Sequence, residues 1–212
     1  MSGRPVAPAG LPPAGAEAGA PGAWAGDVID YLARRHSVGP KFLALPAPTD
    51  AQWARAAAVA LRAPDHGRLG PFRFVVVADP QRPALAELFA QDARRRGHAP
   101  DEVEKARARA FNGPGLVALV GRLREGVPDV PIHEQWLCTG AGLMNFLNAL
   151  HLMGFGAKTL SGASVRDPAI RAAFCDADET LVAWVVAGTP RRASRPAAAD
   201  RAAAVIGPWR PA

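Results

Sequence analysis

Cationic side chains recur where the apolar segments of this chain end, and they are the residues whose types point most directly to chemistry. Guanidinium and imidazole groups beside glycine, serine and threonine offer charge-assisted hydrogen-bond donors, which an anionic phosphate needs more than it needs a general base. The set comprises Arg34, Arg35, His36, Arg62, His66, Lys158, Arg191, Arg192 and Arg195. Taken singly, each has the character of an ordinary surface charge. Taken together, they predict a site for a phosphate-bearing ligand.

The usual catalytic signatures are missing from the sequence. His133 and Glu134 begin like a zinc-protease helix, but the position of the second histidine holds Leu137. There is no P-loop and no Gly-x-Ser-x-Gly elbow. Gly154 and Gly156 follow a predicted helix, whereas a dinucleotide fingerprint follows a strand, so a glycine helix cap is the simpler interpretation. The sequence therefore predicts a bound cofactor that carries the chemistry, with no catalytic side chain and no metal site.

The amino-acid composition indicates a globular protein and argues against nucleic-acid binding and membrane insertion. Hydrophobic residues make up 49% of the chain, which predicts a buried core, and the net charge of +6 comes mainly from dispersed arginines. A nucleic-acid-binding domain would cluster them on one face, so we expect no nucleic-acid partner. Cys138 and Cys175 form no disulfide framework, and no apolar run is long enough to span a membrane. We expect a cytoplasmic protein.

The helices and strands that must position these cations are predicted from helix-capping residues, from the spacing of apolar residues, and from glycine and proline. Residues 1–23, rich in alanine, glycine and proline, are predicted to be a disordered tail, residues 24–190 the domain, and residues 191–212 an extended arm. Helices are predicted over residues 26–36, 50–62, 83–96, 101–111, 136–153 and 168–174, and strands over residues 72–77, 116–120, 158–160 and 180–187. Strands separated by helices indicate an α+β sandwich around a small sheet.

The predicted helix of residues 136–153 is the least polar segment of the domain. Large apolar side chains continue around most of its circumference, so it must be buried on most of its faces. Gly140, Ala141 and Gly142 permit close approach of a neighbouring backbone. We therefore expect a second copy of the chain to supply part of the cover.

Four motifs, in order and in register, resemble the FMN-dependent nitroreductases. They are Arg-Arg-His-Ser-Val at residues 34–38, Arg-Ala-Pro-Asp-His at 62–66 followed by Gly-Pro-Phe-Arg-Phe-Val-Val-Val at 70–77, Gly-Phe-Gly-Ala-Lys-Thr-Leu-Ser-Gly at 154–162, and Gly-Thr-Pro at 188–190. The resemblance extends from about residue 28 to residue 190 or beyond. It is strongest to the small NAD(P)H nitroreductase branch that carries Ala-Pro-Asp-His.

The resemblance implies a fold and an assembly. Members of the family are three-layer α+β sandwiches with a small mixed, mainly antiparallel sheet between helices. They are homodimers whose long central helices pack together, with two FMN sites at the subunit interface. The resemblance further implies hydride transfer from NAD(P)H through FMN to nitroaromatic or quinone-like acceptors by a ping-pong mechanism.

The resemblance also assigns residues by position. Arg34, Arg35 and His36 would hold the FMN phosphate and ribityl chain, Arg62 and His66 would contact the flavin from the other subunit, and Arg195 would add a phosphate contact. Thr159, Leu160 and Ser161 would line the flavin ring. The NAD(P)H segment would comprise Ala149, Leu150, His151, Leu152, Met153 and Gly154.

The chain departs from the family pattern at several positions. His36 stands where serine is usual after the two arginines, and Arg68, Gly70 and Phe72 stand where asparagine, glutamine and tryptophan are common. The lost amide contacts leave open a flavin-binding or sensing protein of the same fold with weak catalysis. A second alternative, a basic binding module without flavin, also stays open.

Overall fold

The computed structural model describes residues 23–191 and 205–209. The described residues belong to two compact units, one with residues 23–36 and 205–209 and the other with residues 37–191. The first unit contains helix α1, Ala23–Ala33. The predicted tail up to residue 22 and most of the predicted arm lie outside the described residues, so the predicted division into tail, domain and arm stays a prediction.

The second unit alternates helices with strands. Its helices are α2 (Asp50–Ala60), α3 (Arg82–Arg95), α4 (Pro100–Ala108), α5 (Ile132–Leu152) and α6 (Pro168–Phe174), and its strands are β1 (Leu43–Ala44), β2 (Phe72–Val76), β3 (Gly115–Gly121), β4 (Gly156–Leu160) and β5 (Thr180–Pro190). All strands except β1 were predicted. Strand β1 was not predicted because two residues are too few to show an alternating pattern.

Strand β5 is the centre of the sheet. It pairs antiparallel with β3 on one side, and β3 pairs with β2. On its other side β5 pairs with β4 over residues 184–188 and with β1 over residues 189–190. One parallel bridge joins Ser37 to Ala157. The sheet is therefore mainly antiparallel with helices on both faces, which confirms the predicted α+β sandwich.

Two hydrophobic cores form because successive residues of each strand point to opposite faces. On one face, α2 and α5 pack on the sheet; on the other, α3, α4 and α6 do. The first core includes Trp53, Phe146, Leu150, Leu119 and Val185, and the second includes Leu85, Phe89, Ile170, Trp184 and Val186. Each large side chain removed from water in this way contributes about 1.5–3 kcal/mol.

Local signals set the starts of α2 and α6. The Thr49 hydroxyl accepts from the Gln52 amide, and the Gln52 side chain accepts from the Thr49 amide at 2.9 Å, which completes the predicted capping box. The Asp167 carboxylate accepts from the Ile170 amide at 3.0 Å, with Pro168 at the first helical position. These caps fix where each helix turns back onto the sheet.

Helix α5 packs closely on one side and leaves apolar side chains exposed on another. A Cβ on Gly142 would lie 2.4 Å from the Phe72 ring, so this glycine permits the contact between α5 and β2. By contrast, Leu137 is 68% exposed and Met144 is 41% exposed, and Gly140 between them has open space around it. These three residues share a face of the helix by their spacing. None of the described helices combines the length and apolarity that crossing a membrane would require.

Candidate functional site

The outer edge of β4 is the part of the sheet best placed to receive a ligand. The amide of Val38 donates to the Ala157 carbonyl at 3.0 Å on the side of β4 that faces away from β5. Peptide groups of alternate residues point to the same edge of a strand, so the amide and carbonyl of Thr159 also point away from β5. Beyond Val38, no described strand covers this edge. Predicted flavin contacts Thr159 to Ser161 therefore lie at an open sheet edge.

The side chains of this segment divide between the two faces of the sheet. Thr159 pairs with Val185 of the α5-side core, whereas Leu160 pairs with Trp184 of the α3-side core. The Thr159 hydroxyl and the Asn148 side-chain oxygen are buried polar atoms with no protein hydrogen-bond partner. Orphaned buried polar atoms are rare in folded proteins and often mark a place where another molecule binds.

A cavity of about 280 Å³ opens beside the end of β4. Phe89, Leu116, Trp184 and Val186 give it an apolar interior, and the loop after β4 and the segment before β3 complete it. Its other lining residues are Leu160, Ser161, Gly162, Ala163, Ser164, Arg109 and Asn112. Two of the three predicted ring contacts thus border a cavity. The sequence offered no signal for Trp184, Arg109 or Asn112, because they come from segments far apart in the chain.

The loop that carries His66 is built around one carboxylate. Asp65 accepts from the amides of Leu69, at 3.0 Å, and Gly70, at 2.8 Å. The loop also places Arg68 in the left-handed region with φ of 51°. His66 itself is exposed, and its Nδ1 lies 2.8 Å from the Glu134 carboxylate in the first turn of α5. Glu134 therefore orients the imidazole, a role that no sequence motif indicated.

The residues that depart from the family pattern in the second motif, between residues 62 and 77, have structural roles in this chain. Phe72, at a position where the resemblance leads us to expect tryptophan, is 5% exposed and packs against Gly142 and Phe74. The Gly70 amide is engaged by Asp65. Arg68 is exposed, as is Arg62, which follows α2. These positions build the loop and the core, and they leave the arginine side chains directed to the surface.

The predicted NAD(P)H segment is the end of α5 and its exit. Ala149 and Leu150 are buried in the core, His151 and Met153 are half-buried, and Leu152 and Gly154 are exposed. Gly154 has φ of 87° and open space around it. Contacts to a nucleotide from this segment would have to come mainly from its accessible members.

Arg34, Arg35 and His36 follow α1 in the first compact unit. The amides of Arg34 and Arg35 donate to Tyr31 and Leu32, so both arginines continue the end of the helix. The His36 ring lies 3.3 Å from the Arg34 carbonyl. Arg195 lies outside the described residues.

Within one chain, the predicted site residues of the second unit do not all converge. His66 contacts Glu134 near the start of α5, whereas residues 149–154 form the end of the same helix. Residues 134 and 150 are about 24 Å apart along the helix axis. A single chain therefore separates His66 from the predicted nucleotide segment.

The two thiols are not poised as nucleophiles. Burial raises the pKa of Cys138, and burial together with Glu179 raises the pKa of Cys175. Both thiols stay protonated at neutral pH. Across residues 23–191 and 205–209, no three histidine, cysteine, aspartate or glutamate side chains gather as a metal site would need.

Most of the chain is similar to proteins of one known family. The family model described as "Nitroreductase family" matches residues 32–189. YdjA of Escherichia coli (strain K12), by its name a candidate NAD(P)H nitroreductase, is 31% identical over 166 residues, which cover 78% of this chain and 89% of YdjA.

Two solved structures share the fold at lower identity. A nitroreductase-like family protein from Bacillus cereus has a TM-score of 0.71 at 16% identity, over 86% of this chain and 95% of that chain. The FMN- and NADPH-dependent nitroreductase NfnB from Sphigopyxis sp. strain HMH has a TM-score of 0.63 at 19% identity, over 87% and 99% of the two chains. Such low identity supports the architecture alone.

Proposed function

The chain belongs to the nitroreductase family and is an oxidoreductase, and we propose that it passes hydride from NADH or NADPH to an electron-poor acceptor such as a nitroarene or a quinone, with FMN as its resident cofactor. Bound FMN supplies a ring nitrogen, N5, that accepts hydride and then gives it up. The nicotinamide and the acceptor use the same place in turn, which is a ping-pong order. Two free thiols suit a reducing cytoplasm.

The observation that carries the proposal is the open edge of β4. A flavin ring is flat and apolar on its faces, with hydrogen-bonding atoms along its edge. The outward peptide groups at Thr159, the apolar side chain of Leu160 and the exposed Ser161 suit such a ring. The unpartnered Thr159 hydroxyl is consistent with a polar ligand nearby. The residues present therefore fit the cofactor.

The cations supply the complementary charge in this proposal. Arg34, Arg35 and His36 would hold the phosphate and ribityl chain, with Arg195 as a further phosphate contact. Guanidinium groups bind phosphate through paired, charge-assisted hydrogen bonds. His36 offers one donor where serine is usual, so we expect it to contribute less to affinity than the two arginines.

The proposal includes a homodimer formed along α5. Ile132, Trp136, Leu137, Met144 and Leu152 are each at least 40% exposed although α5 is otherwise a core helix. Exposed apolar residues concentrated on one element usually mark a protein interface. The His66–Glu134 pair borders this surface, because Glu134 and Leu137 are three residues apart on the helix. A second copy would bring Arg62 and His66 to its partner's flavin.

One observation favours a second function, a flavin-binding protein with weak catalysis. Phe72 and the Gly70 amide serve the core and the loop, so amide side chains common at this motif have no replacement there. Such a protein would bind FMN and fail to oxidise NADH or NADPH with any acceptor. Stopped-flow reduction of the purified flavoprotein separates the two functions.

Purified protein reconstituted with FMN should show the visible absorption bands of bound flavin. Arg34→Ala should lose most of the bound flavin, because it removes a charged phosphate donor, while circular dichroism and sedimentation stay unchanged. Arg55→Ala, which alters an exposed arginine of α2, is the matched control. A colourless protein after reconstitution would refute the proposed function, and full flavin retention by Arg34→Ala would refute the phosphate role.

A further inference from the structure

The 280 Å³ cavity beside β4 is suited to a ligand smaller than a whole flavin nucleotide. Pockets for drug-sized ligands begin at about 300 Å³, so this one accommodates a single substituted ring. Its inner wall is aromatic and aliphatic. Trp184 is held in a fixed orientation by edge-to-face contacts with Phe89, at 5.6 Å, and Phe174, at 5.0 Å. A flat aromatic ligand suits this wall.

The wall segments on both sides of the opening are anchored by arginines, the buried Arg82 on one side and the exposed Arg96 on the other. Arg82 donates to the carbonyls of Ala110, at 3.0 Å, Gly113, at 3.1 Å, and Pro114, at 2.8 Å. On the other side, Arg96 donates to the Ala163 carbonyl at 2.9 Å. The cavity is therefore preorganised, and binding a ligand requires little reordering of its walls.

Arg109 is the charged member of the cavity lining. It is exposed, so it stands at the opening, and no carboxylate is among the lining residues. Nearby cations are already engaged: Arg107 pairs with Glu87 at 2.7 Å and Lys105 with Glu102 at 2.6 Å. Within residues 23–191 and 205–209, the Arg109 guanidinium makes no hydrogen bond or ion pair. Asn112 adds an amide at the same side of the cavity.

A smaller pocket of about 60 Å³ adjoins this cavity and shares Arg109 with it. It contains two carboxylates, and both have partners: Asp92 pairs with Arg96 at 2.5 Å, and Glu102 pairs with Lys105. Their charge is therefore largely compensated. The Arg109 guanidinium remains available to an anionic group in the larger cavity.

We propose that this cavity binds the ring of an aromatic acceptor and that Arg109 selects acceptors carrying a carboxylate. The inference rests on the proposed function, because it takes the acceptor to lie beside the ring bound at β4. An aromatic acid places its ring against Trp184 and Phe89 and its carboxylate at Arg109, where a paired, charge-assisted contact forms. A neutral amide of the same shape keeps the ring contacts and loses the charge.

The test uses benzoate and benzamide, which cannot be reduced and differ mainly in charge. Calorimetric titration of the full-length protein should show benzoate binding about tenfold more tightly than benzamide, the order expected of a charged hydrogen bond. Arg109→Gln should abolish this preference and leave benzamide binding unchanged. Arg55→Gln, a matched change at an exposed arginine of α2, should retain the preference.

Several outcomes would overturn the inference. The first is equal binding of benzoate and benzamide by the unaltered protein. The second is a preference for benzoate that survives Arg109→Gln. The third is displacement of benzoate by FMN, which would place the flavin in the cavity. With flavin-loaded protein, the ratio of kcat/KM for 4-nitrobenzoate over 4-nitrobenzamide should fall by the same factor in Arg109→Gln. If the protein binds no FMN and yet prefers benzoate through Arg109, the proposed function fails while the anion preference stands.

Discussion

Glu179 is a buried carboxylate that pairs closely with Arg73, and the Arg122 guanidinium lies 4.0 Å from it. Arg73 donates from Nε to Glu179 Oε1 at 2.7 Å and from Nη2 to the other carboxylate oxygen, and it also reaches the Phe174 carbonyl. The Asp176 amide donates to Glu179 at 2.9 Å. The hydrogen bond from Arg73 holds the pKa of Glu179 below its usual range, against the opposing effect of burial.

Replacement of this carboxylate should destabilise the protein in a pH-dependent way. Because the folded-state pKa is lowered, the stabilisation is complete above about pH 4.3, the unfolded value, and is lost as pH falls through the folded-state pKa. Glu179→Gln should lower the free energy of unfolding by about 1–3 kcal/mol at neutral pH, since hydrogen bonds to a charged group are lost. Urea unfolding at neutral and acidic pH measures both values.

The difference between the two proteins should narrow as the pH falls below the unfolded value and through the lowered folded-state pKa, where Glu179 of the unaltered protein takes up a proton as well. Glu87→Gln provides a matched control, because Glu87 is half-exposed and pairs with Arg94 and Arg107 on the surface. That change should cost clearly less stability than Glu179→Gln, because solvent screens a surface ion pair. A pH-independent loss in Glu179→Gln would show that shape, and not charge, is what matters at this position.

Two glycines of α5 differ in their surroundings, which allows a matched comparison on one element. A Cβ at Gly142 would lie 2.4 and 2.6 Å from atoms of the Phe72 ring, and Phe72 is held in the core beside Phe74. Gly142→Ala should therefore destabilise the protein by about 1–3 kcal/mol, the usual cost of overpacking. Thermal or denaturant unfolding monitored by circular dichroism measures the change.

Gly140→Ala is the companion substitution, because nothing lies within 4 Å of the position that a Cβ would occupy. In an isolated chain, alanine should stabilise the helix by up to about 1 kcal/mol. Similar destabilisation by both substitutions would mean that loss of glycine in the helix, and not the Phe72 contact, sets the cost.

Local patterns predicted the elements much better than the contacts between them. The capping box at Thr49 and the aspartate–proline start at residue 167 each act within four residues, so both ends were predictable. By contrast, α5 begins at Ile132, four residues before the predicted start at Trp136, and Pro131 is its N-cap residue. The His66–Glu134 pair joins residues 68 positions apart, and nothing local encodes such a partnership.

The candidate site shows the same division. Thr159, Leu160 and Ser161 could be proposed because the resemblance assigns them by position, and the structure places them at a strand end. The cavity beside them could not be proposed, since Phe89, Arg109 and Trp184 come together only when α3, β3 and β5 pack. The flavin contacts assigned to these residues stay predictions, and measurements of flavin binding will test them.

The whole molecule should be a dimer through the exposed face of α5. Leu137→Glu places a charge where the surface is apolar and Leu137 is 68% exposed, so the single chain should fold normally while the dimer dissociates. Sedimentation should show a monomer at concentrations where the unaltered protein is dimeric. FMN should be lost with the dimer, because Arg62 and His66 would no longer reach a partner.

Val76→Glu is the control for this prediction. Val76 is 40% exposed on β2 and lies on a different element from the proposed interface. It should leave the sedimentation and the bound flavin unchanged. A monomeric unaltered protein that still retains FMN would contradict the dimeric site.

The open edge of β4 has a further consequence for the protein before any ligand binds. Unpaired amides and carbonyls along a strand edge can template the addition of a strand from another molecule. Lys158, half-buried in the middle of β4, places a charge in this strand, a feature by which natural edge strands resist such pairing. Until a ligand covers the edge, the Lys158 charge would oppose pairing with a strand of another molecule, a role separate from any contact with substrate.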